Sequence, residues 1–386
     1  MEYKILGDYI NLVDLRNREL GITNLLGVSI EKRFIPSIAN IVGTDLSRYK
    51  VVKNGQFAYG PVTSRNGEKI SIALLNGEDC IISSSYTVFE VTRKDELDPE
   101  YLMLWFSRPE FDRYARYRSH GSVREIFDWE ELCNVKLPIP PIEKQKKIVK
   151  AYKTITDRIA LKQRINDNLD ALATALFKSW FVDYEPFEVD ETDKPIGWIE
   201  KSLSQVLTTT TNSVNPQKLQ NEGVWHYSIP AFDSERLPVF DAPLSILSNK
   251  YVVPRNSILV SKLNPETKRI WITSDKFENA ICSTEFIIFI PNNPEHRDFY
   301  YLLFNTPEFI DFLVSNATGS TNSRMRVKPA STLDFKLFMP QNVEVLDDFC
   351  KMVHPILNTH EKNLFEIRNL RNLTPIAVAK MMSSSR

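Results

Sequence analysis

Cysteine is scarce and never clustered: Cys80, Cys133, Cys282 and Cys350 stand far apart, with no CxxC pair and no histidine at metal-ligand spacing. That excludes the common zinc patterns and a disulfide framework, and it reads as reduced, mostly buried thiols of a cytosolic protein. Glycine is also rare, 12 in 386 residues, and neither GxxxxGK[ST] nor GxGxxG occurs, so no phosphate-cradling loop is expected. Long apolar runs are missing; stretches such as Phe286-Ile287-Ile288-Phe289-Ile290 fall far short of the ~20 residues a membrane span needs. The start, Met1-Glu2-Tyr3-Lys4, opens no signal-peptide core. A dominant charge is absent too: 48 Lys and Arg face 49 Asp and Glu. Any nucleic-acid surface must therefore be a local basic patch balanced by acid elsewhere. The five histidines, His120, His226, His296, His354 and His360, include no pair on one helical face. They read as surface or satisfied polar groups, and no metal is expected.

What is present is a duplication. With 42% hydrophobic and 25% charged residues, the chain has globular composition and is long enough for two domains. Its two halves repeat at an offset of about 200 residues. Leu6-Gly7-Asp8-Tyr9-Ile10 matches Leu203-Ser204-Gln205-Val206-Leu207 in pattern. The run from Lys50 to Phe57 matches that from Tyr251 to Ile258, and Cys80 to Phe89 matches Ala280 to Phe289. Pro109-Glu110-Phe111 recurs as Pro307-Glu308-Phe309, Gly121-Ser122 as Gly319-Ser320, and Lys136-Leu137 as Lys336-Leu337. One such match could be chance; a series in one order is not. Each half begins with short β-branched and aromatic runs broken by Asn, Gly, Ser and Pro, the grammar of strands. A helical piece (Pro99 to Arg118; Pro294 to Ser315), a polar glycine-bearing loop and one more strand follow.

A proline stop then precedes a long helix in each half. The first is predicted from about Ile142 to Phe181, with Ile148, Tyr152, Ile155, Ile159, Leu169 and Leu176 at three- and four-residue steps and Lys162 and Asn166 in the seam. The second is predicted from about Val343 to Leu373, with Leu346, Phe349, Val353, Ile356, Leu364, Ile367 and Leu370. Pro355 is expected to kink it or mark a false start. Narrow heptad-like stripes with a polar interruption need a partner and a fixed register. The fold expected is α/β (α+β): two tandem strand-rich heads, related by a pseudo-twofold and joined by two long helices in an antiparallel coiled coil.

Three segments look like nucleic-acid contact surfaces. Arg113, Arg116, Tyr117, Arg118, His120, Ser122 and Arg124 surround Gly121. Ser320, Asn322, Ser323, Arg324, Arg326 and Lys328 surround Gly319 at the equivalent place. Lys262, Asn264, Lys268 and Arg269 lie between two predicted strands of the second half. Arginine suits both guanine edges and phosphates, while Asn and Ser can read bases or hold phosphates. The bland alternative is a solvated basic face. Recurrence at the same place in both halves, on loops rather than helix faces, favours contact with nucleic acid. No catalytic set accompanies these residues. Leu263-Asn264-Pro265 lacks the second proline and the aromatic of the Asn-Pro-Pro-aromatic motif of amino-methyltransferases.

The stretch Leu137-Pro138-Ile139-Pro140-Pro141-Ile142-Glu143-Lys144-Gln145 with Ile148-Val149, then Phe177 through Phe187 and Pro195-Ile196-Gly197-Trp198, resembles the specificity subunits of type I restriction–modification systems. The runs Gly121-Ser122-Val123-Arg124 and Ser261-Lys262-Leu263-Asn264-Pro265 are similar as well, and the resemblance covers essentially the whole chain. It implies target-recognition domains at 1–140 and 199–341, long helices at 141–183 and 342–376, a linker at 184–198 and a tail at 377–386. It further implies a non-catalytic, cytoplasmic DNA-reading subunit. Each head would read half of a split, asymmetric site in double-stranded DNA, and the helices would set their separation. Two methyltransferase (M) subunits would dock on the helices and restriction (R) subunits would join. S-adenosylmethionine, ATP and Mg would belong to those partners, with no cofactor in this chain. Two departures stand out: Gln341-Asn342-Val343-Glu344 replaces Pro141-Ile142-Glu143-Lys144 before the second helix, and the end from Leu373 to Arg386 lacks the usual Leu-Leu-Pro and small residues. The competing readings are a coiled-coil scaffold with no DNA role and a stand-alone nucleic-acid enzyme.

Overall fold

The computed structural model describes residues 3–37, 43–64, 66–121, 124–319 and 325–383. It divides into two compact units, Met1–Arg158 with Arg371–Arg386, and Ile159–Leu370. In the first, short strands Tyr3–Ile5 (β1), Ile10–Val13 (β2), Leu26–Val28 (β3), Phe34–Pro36 (β4), Lys50–Val52 (β5), Phe57–Tyr59 (β6), Ile72–Leu74 (β7), Cys80–Ile82 (β8) and Thr87–Val91 (β9) precede helices Pro99–Phe106 (α1), Pro109–Tyr117 (α2) and Trp129–Cys133 (α3). Strand Lys136–Pro138 (β10) then leads into the long helix Ile142–Phe181 (α4). A four-stranded sheet, ordered β2-β9-β6-β7, carries the core. Phe57 stacks on Phe89 at 4.8 Å, and Phe106 of α1 meets both edge-on. Such ring pairs add about 1 kcal/mol beyond their buried area.

The second unit repeats this plan with one addition. Its elements are Trp198–Ser202 (β11), Leu207–Thr210 (β12), Ser213–Val214 (β13), Val224–Tyr227 (β14), Ile229–Glu235 (α5), Val239–Asp241 (β15), Lys250–Val252 (β16), Ile258–Ser261 (β17), Ile270–Ile272 (β18), Ala280–Ser283 (β19) and Phe286–Pro291 (β20). Helices Arg297–Phe304 (α6) and Pro307–Ser315 (α7), strands Ala317–Thr318 (β21) and Arg326–Val327 (β22), helix Pro329–Thr332 (α8), strand Lys336–Pro340 (β23) and helix Val343–Ser383 (α9) complete it, α9 ending in the first unit. The sheet β12-β20-β17-β18 mirrors the first unit's. Where β3 and β4 are joined by a tight turn closed by Ser29 N–H to Arg33 O at 3.0 Å, the second unit inserts α5 between β14 and β15.

The pairing registers reproduce the sequence repeat residue by residue. Leu12 and Phe57 both face Phe89, as Thr209 and Ile258 both face Phe289. Lys50 pairs with Ile82 as Tyr251 pairs with Cys282. The bridges Arg16–Lys50 and Leu25–Ile81 are the reduced forms of β13 on β16 and of parallel β14 on β19. A one-residue slip would turn each core face toward solvent, so the hydrophobic pattern fixes these registers.

Three expectations need correction. The helical piece of each half is two helices, because Pro109 and Pro307 have no N–H to continue a helix and instead start one. Helix α9 passes through Pro355 and Pro375 and runs past Leu373 to Ser383. Pro355 marks no false start: its neighbours Val353 and Leu357 are buried, and its carbonyl accepts Thr359 Oγ1 at 2.7 Å. Packing on that scale offsets the ~3 kcal/mol that proline costs in a helix. Finally, the buried stripe of α4 includes Ala173 and Phe177, which the sequence reading did not name, while Ile155, Ile159, Leu169 and Leu176 are half-buried. Ala173 and Phe177 are buried because they share the second unit's core cluster, where Phe177 meets Phe299 and Phe349.

The helices pair antiparallel. Rising numbers on α4 meet falling numbers on α9: Lys162 with Glu366 at 3.0 Å, Asn166 with Asn363 at 2.8 Å, and Phe177 with Phe349 at 6.0 Å between rings. Leu346, Phe349, Val353 and Ile367 are buried in this seam or against the head, and Ile356, Leu364 and Leu370 are half-buried. In the first unit Ile148, with Tyr152 packed against it, shares a core cluster with Val378 of α9. Asn166 and Asn363 are 5% and 3% exposed, and each spends its amide on the other or on a neighbour: Asn166 Nδ2 donates to His360 O, and Lys162 Nζ donates to Asn363 Oδ1 at 2.7 Å. Buried polar groups of this kind set register, since any slip leaves them unpaired.

Cys80, Cys282 and Cys350 are buried, Cys133 is half-buried, and all four are free. Burial pushes the three buried thiols up to about 12, so they are not nucleophiles. Among the described residues no helix is long and apolar enough to cross a membrane.

Candidate nucleic-acid interface

The glycine loops of the two units are built alike. In the first, His120 and Ile126 exchange backbone hydrogen bonds at 3.0 and 2.8 Å and close a tip over Gly121 to Glu125. Gly121 has φ +132, and a Cβ there would stand 2.2 Å from Arg124 O, so only glycine fits. The β6–β7 connection lies against this tip. Thr63 N–H donates to Glu125 O at 2.9 Å, its hydroxyl donates to Ser119 Oγ at 2.9 Å, and Phe127 N–H donates to Pro61 O. In the second unit β21 and β22 close the tip, and the β17–β18 connection lies against it: Asn264 N–H donates to Met325 O at 2.8 Å, and Val327 N–H to Lys262 O at 3.0 Å. Asn264 sits at φ 48, and its buried Oδ1 has no partner among the described residues. A left-handed asparagine with an unsatisfied acceptor is a strained feature of the kind found at functional loops.

The candidate residues are placed unevenly. Arg113, Arg116 and Tyr117 lie on α2 and Arg118 caps it, so this part of the cluster is a helix face, correcting the expectation of loops alone. The reason is local: Pro109 starts a helix that runs up to the tip. Arg113 reaches Glu110 at 3.6 Å and Arg116 reaches Glu125 at 2.7 Å. Arg118 makes a forked pair with Glu131 at 2.6 and 2.9 Å, and His120 lies 3.7 Å from the same carboxylate. Tyr117 is 82% exposed. Arg124 is exposed with no carboxylate partner among the described residues.

In the second unit Arg326 makes a forked pair with Glu285 at 3.0 and 3.1 Å, whereas Lys262 and the exposed Lys328 have no carboxylate partner among the described residues. Hydrogen bonds and charge from Glu131 and Glu285 raise the pKa of Arg118 and Arg326. Ser122, Ser320, Asn322, Ser323 and Arg324 lie outside the described residues.

The third expected group does not stay together. Lys262 and Asn264 abut the tip. Lys268 turns away, donating to Asn305 O at 2.6 Å, and Arg269 forks onto Asp233 of α5 at 2.7 and 2.9 Å. The inserted α5 draws Arg269 off the loop, a contact no local pattern announces. Conversely, the sequence reading missed the first unit's own β6–β7 loop, where Thr63, the exposed Ser64 and Asn66 stand against the tip or beside it, while Lys69 is drawn to Glu31 at 2.9 Å. Shifting Lys262–Arg269 back by the repeat offset would have found it.

Residues 38–171 match the family described as "Type I restriction modification DNA specificity domain". The MjaIX specificity subunit of Methanocaldococcus jannaschii is 35% identical over 133 residues, 32% of this chain and 31% of that protein. The chain is similar to the type I restriction specificity subunits. That first relative is matched over about a third of its length, but the HindI specificity subunit of Haemophilus influenzae is 21% identical over 422 residues, 90% of each chain. The S subunit of a type I restriction–modification system from M. genitalium superposes with a TM-score of 0.62 at 12% identity, covering 100% of this chain and 96% of the other. This last likeness extends the fold of specificity subunits over the whole chain.

Proposed function

We propose that this chain is the DNA-reading, non-catalytic subunit of a type I restriction–modification complex, acting in the cytoplasm. The observation that carries the proposal is the recurrence, in both units, of a closed tip packed on a second loop, with cations at its edge that have no carboxylate partner among the described residues: Arg124 in one, Lys262 and Lys328 in the other. Two such surfaces suit two half-sites in duplex DNA. These cations are the first candidates for phosphates. The forked arginines, Arg118 and Arg326, are held by carboxylates in the fixed orientation that bidentate reading of a guanine edge requires. On this reading the paired helices fix the spacing of the half-sites and dock two methyltransferase subunits, with restriction subunits joining. Exposed Leu161 and Leu172 on α4, and Leu373 and Ile376 on α9, supply apolar surface for docking. S-adenosylmethionine, ATP and Mg chemistry then resides in the partners.

The test is methylation mapping in a host carrying the chain and its methyltransferase. R124A should weaken use of one half-site and K262A the other, each lowering the salt slope of DNA binding by about one if the contact is to phosphate. Unchanged modification and unchanged binding by the double variant would sink the assignment.

A further inference from the structure

We propose that the second unit holds a binding site for a small organic anion bearing a flat ring, with a nucleoside monophosphate as the reference chemistry. The site is a cavity of about 330 Å³ enclosed by the α5 insertion, β18 and the paired helices α4 and α9. That volume suits a small ligand, and the wall formed by α5 has no equivalent between β3 and β4 of the first unit. The walls include aromatic rings: Trp271 meets Tyr227 edge-on at 4.7 Å and Phe232 at 5.3 Å.

The polar groups around these rings have protons to spare. Arg236, over the Phe232 ring at 5.6 Å, has no ion pair among the described residues, and its left-handed φ of 53 is a strained backbone for a non-glycine residue. Lys268 gives one proton to Asn305 O at 2.6 Å and keeps two. Trp271 is 5% exposed and its indole N–H has no acceptor among the described residues. Tyr227, 1% exposed, accepts Ser274 N–H at 3.2 Å, while its own proton has no acceptor there. Of the lining carboxylates, Glu361 pairs with Lys276 at 2.9 Å, and Asp170 lies 3.5 Å from the His360 ring. What is left over is the pair of cations Arg236 and Lys268, opposed by Asp170 alone among the lining carboxylates, and several donors beside flat apolar surface. An acceptor-rich anion with a ring satisfies both; a cation or a purely apolar guest satisfies neither. Burial and the charge of Arg236 already lower the pKa of Lys268, with Asp170 opposing. A bound anion would relieve the strain between the two cations.

The experiment titrates the full chain with AMP and, separately, with inorganic phosphate. It follows tryptophan fluorescence and heat, at concentrations reaching about 10 mM so that even a millimolar Kd is saturated. Saturable AMP binding is expected, at least ten-fold tighter than phosphate and weakened at least ten-fold by R236Q and by K268Q. W271F, which keeps the ring and removes the N–H, should weaken binding less and change the fluorescence response. The exposed position of Arg236 keeps R236Q folded, which circular dichroism checks. No saturable AMP signal, phosphate binding as tight as AMP, or undiminished affinity in the double variant R236Q/K268Q would each overturn the site. None of these outcomes depends on the DNA-reading proposal, because DNA is absent from the assay.

Discussion

The two heads are seated on their long helices at the same place by different chemistry. In the first unit Gln145, fully buried, accepts the N–H of Asp98 at 2.9 Å and donates to the carbonyls of Glu96 and Pro140 at 2.6 and 2.7 Å. About two turns further on, Lys153 pairs with Glu100 at 2.6 Å. In the second unit His296, which precedes α6 as Asp98 precedes α1, has Nε2 2.8 Å from Asp347 Oδ1, and Asp298 meets His354 Nδ1 at 2.8 Å. The first seat locks backbone to a neutral amide; the second joins ionisable side chains. Leu346 stands in α9 where Gln145 stands in α4, and without that glutamine the second head is held by acid–histidine pairs instead.

The comparison is broken most sharply at Gln145. Gln145→Leu strands two carbonyls and one N–H in a buried site, so the first unit should lose about 3 kcal/mol or more. Hydrogen exchange at the start of α1 and urea unfolding would show it, and a loss under about 1 kcal/mol would mean that the amide is not the lock. A smaller effect is expected in the second unit. Asp298→Ala removes contacts to His354 and to Arg297 at 3.2 Å and should cost about 1–2 kcal/mol. His354→Lys, which copies the Lys153–Glu100 pair, should change stability by less than about 0.5 kcal/mol. Failure of that swap would show that the two seats are not interchangeable.

The smallest effect concerns pH. Burial lowers the pKa of His226 from 6.5, against the pull of its hydrogen bond to Asp241. Below that value the unfolded chain takes up a proton before the folded one does, so this histidine's contribution is present above pH 6.5 and is lost as pH falls through its folded pKa. Exchange protection of β14 should drop on acidification more in the parent than in H226Q, while β3 in the first unit should show no such difference.

The duplication, the strand grammar and both helix starts were legible because they rest on local signals that occur twice: proline stops, β-branched runs and heptad steps. The registers were legible through the repeat, since Lys50 matches Tyr251, Ile82 matches Cys282, and the two matched pairs face each other across the sheets. What was not legible depends on contacts distant in sequence. Glu131 and Glu285 lie 13 and 41 residues from the arginines they hold, and no spacing rule joins them. The insertion of α5 had no template in the first half, so the divergence of Lys268 and Arg269 from Lys262 could not be read. Pro355 marks no false start because a single-residue rule was set against the packing of a whole helix face.

The long helices begin at Ile142 and Val343, so Lys162 and Asn363 stand at the same distance from each start, and they touch. A residue that meets its own copy lies where a two-fold operation maps the contact onto itself. In an association of two identical halves, lysine would there face lysine. Joining the halves in one chain lets the copies differ, with ammonium against amide and Glu366 alongside. The seam has thereby become a hetero-specific contact, one that neither half could form with its own twin.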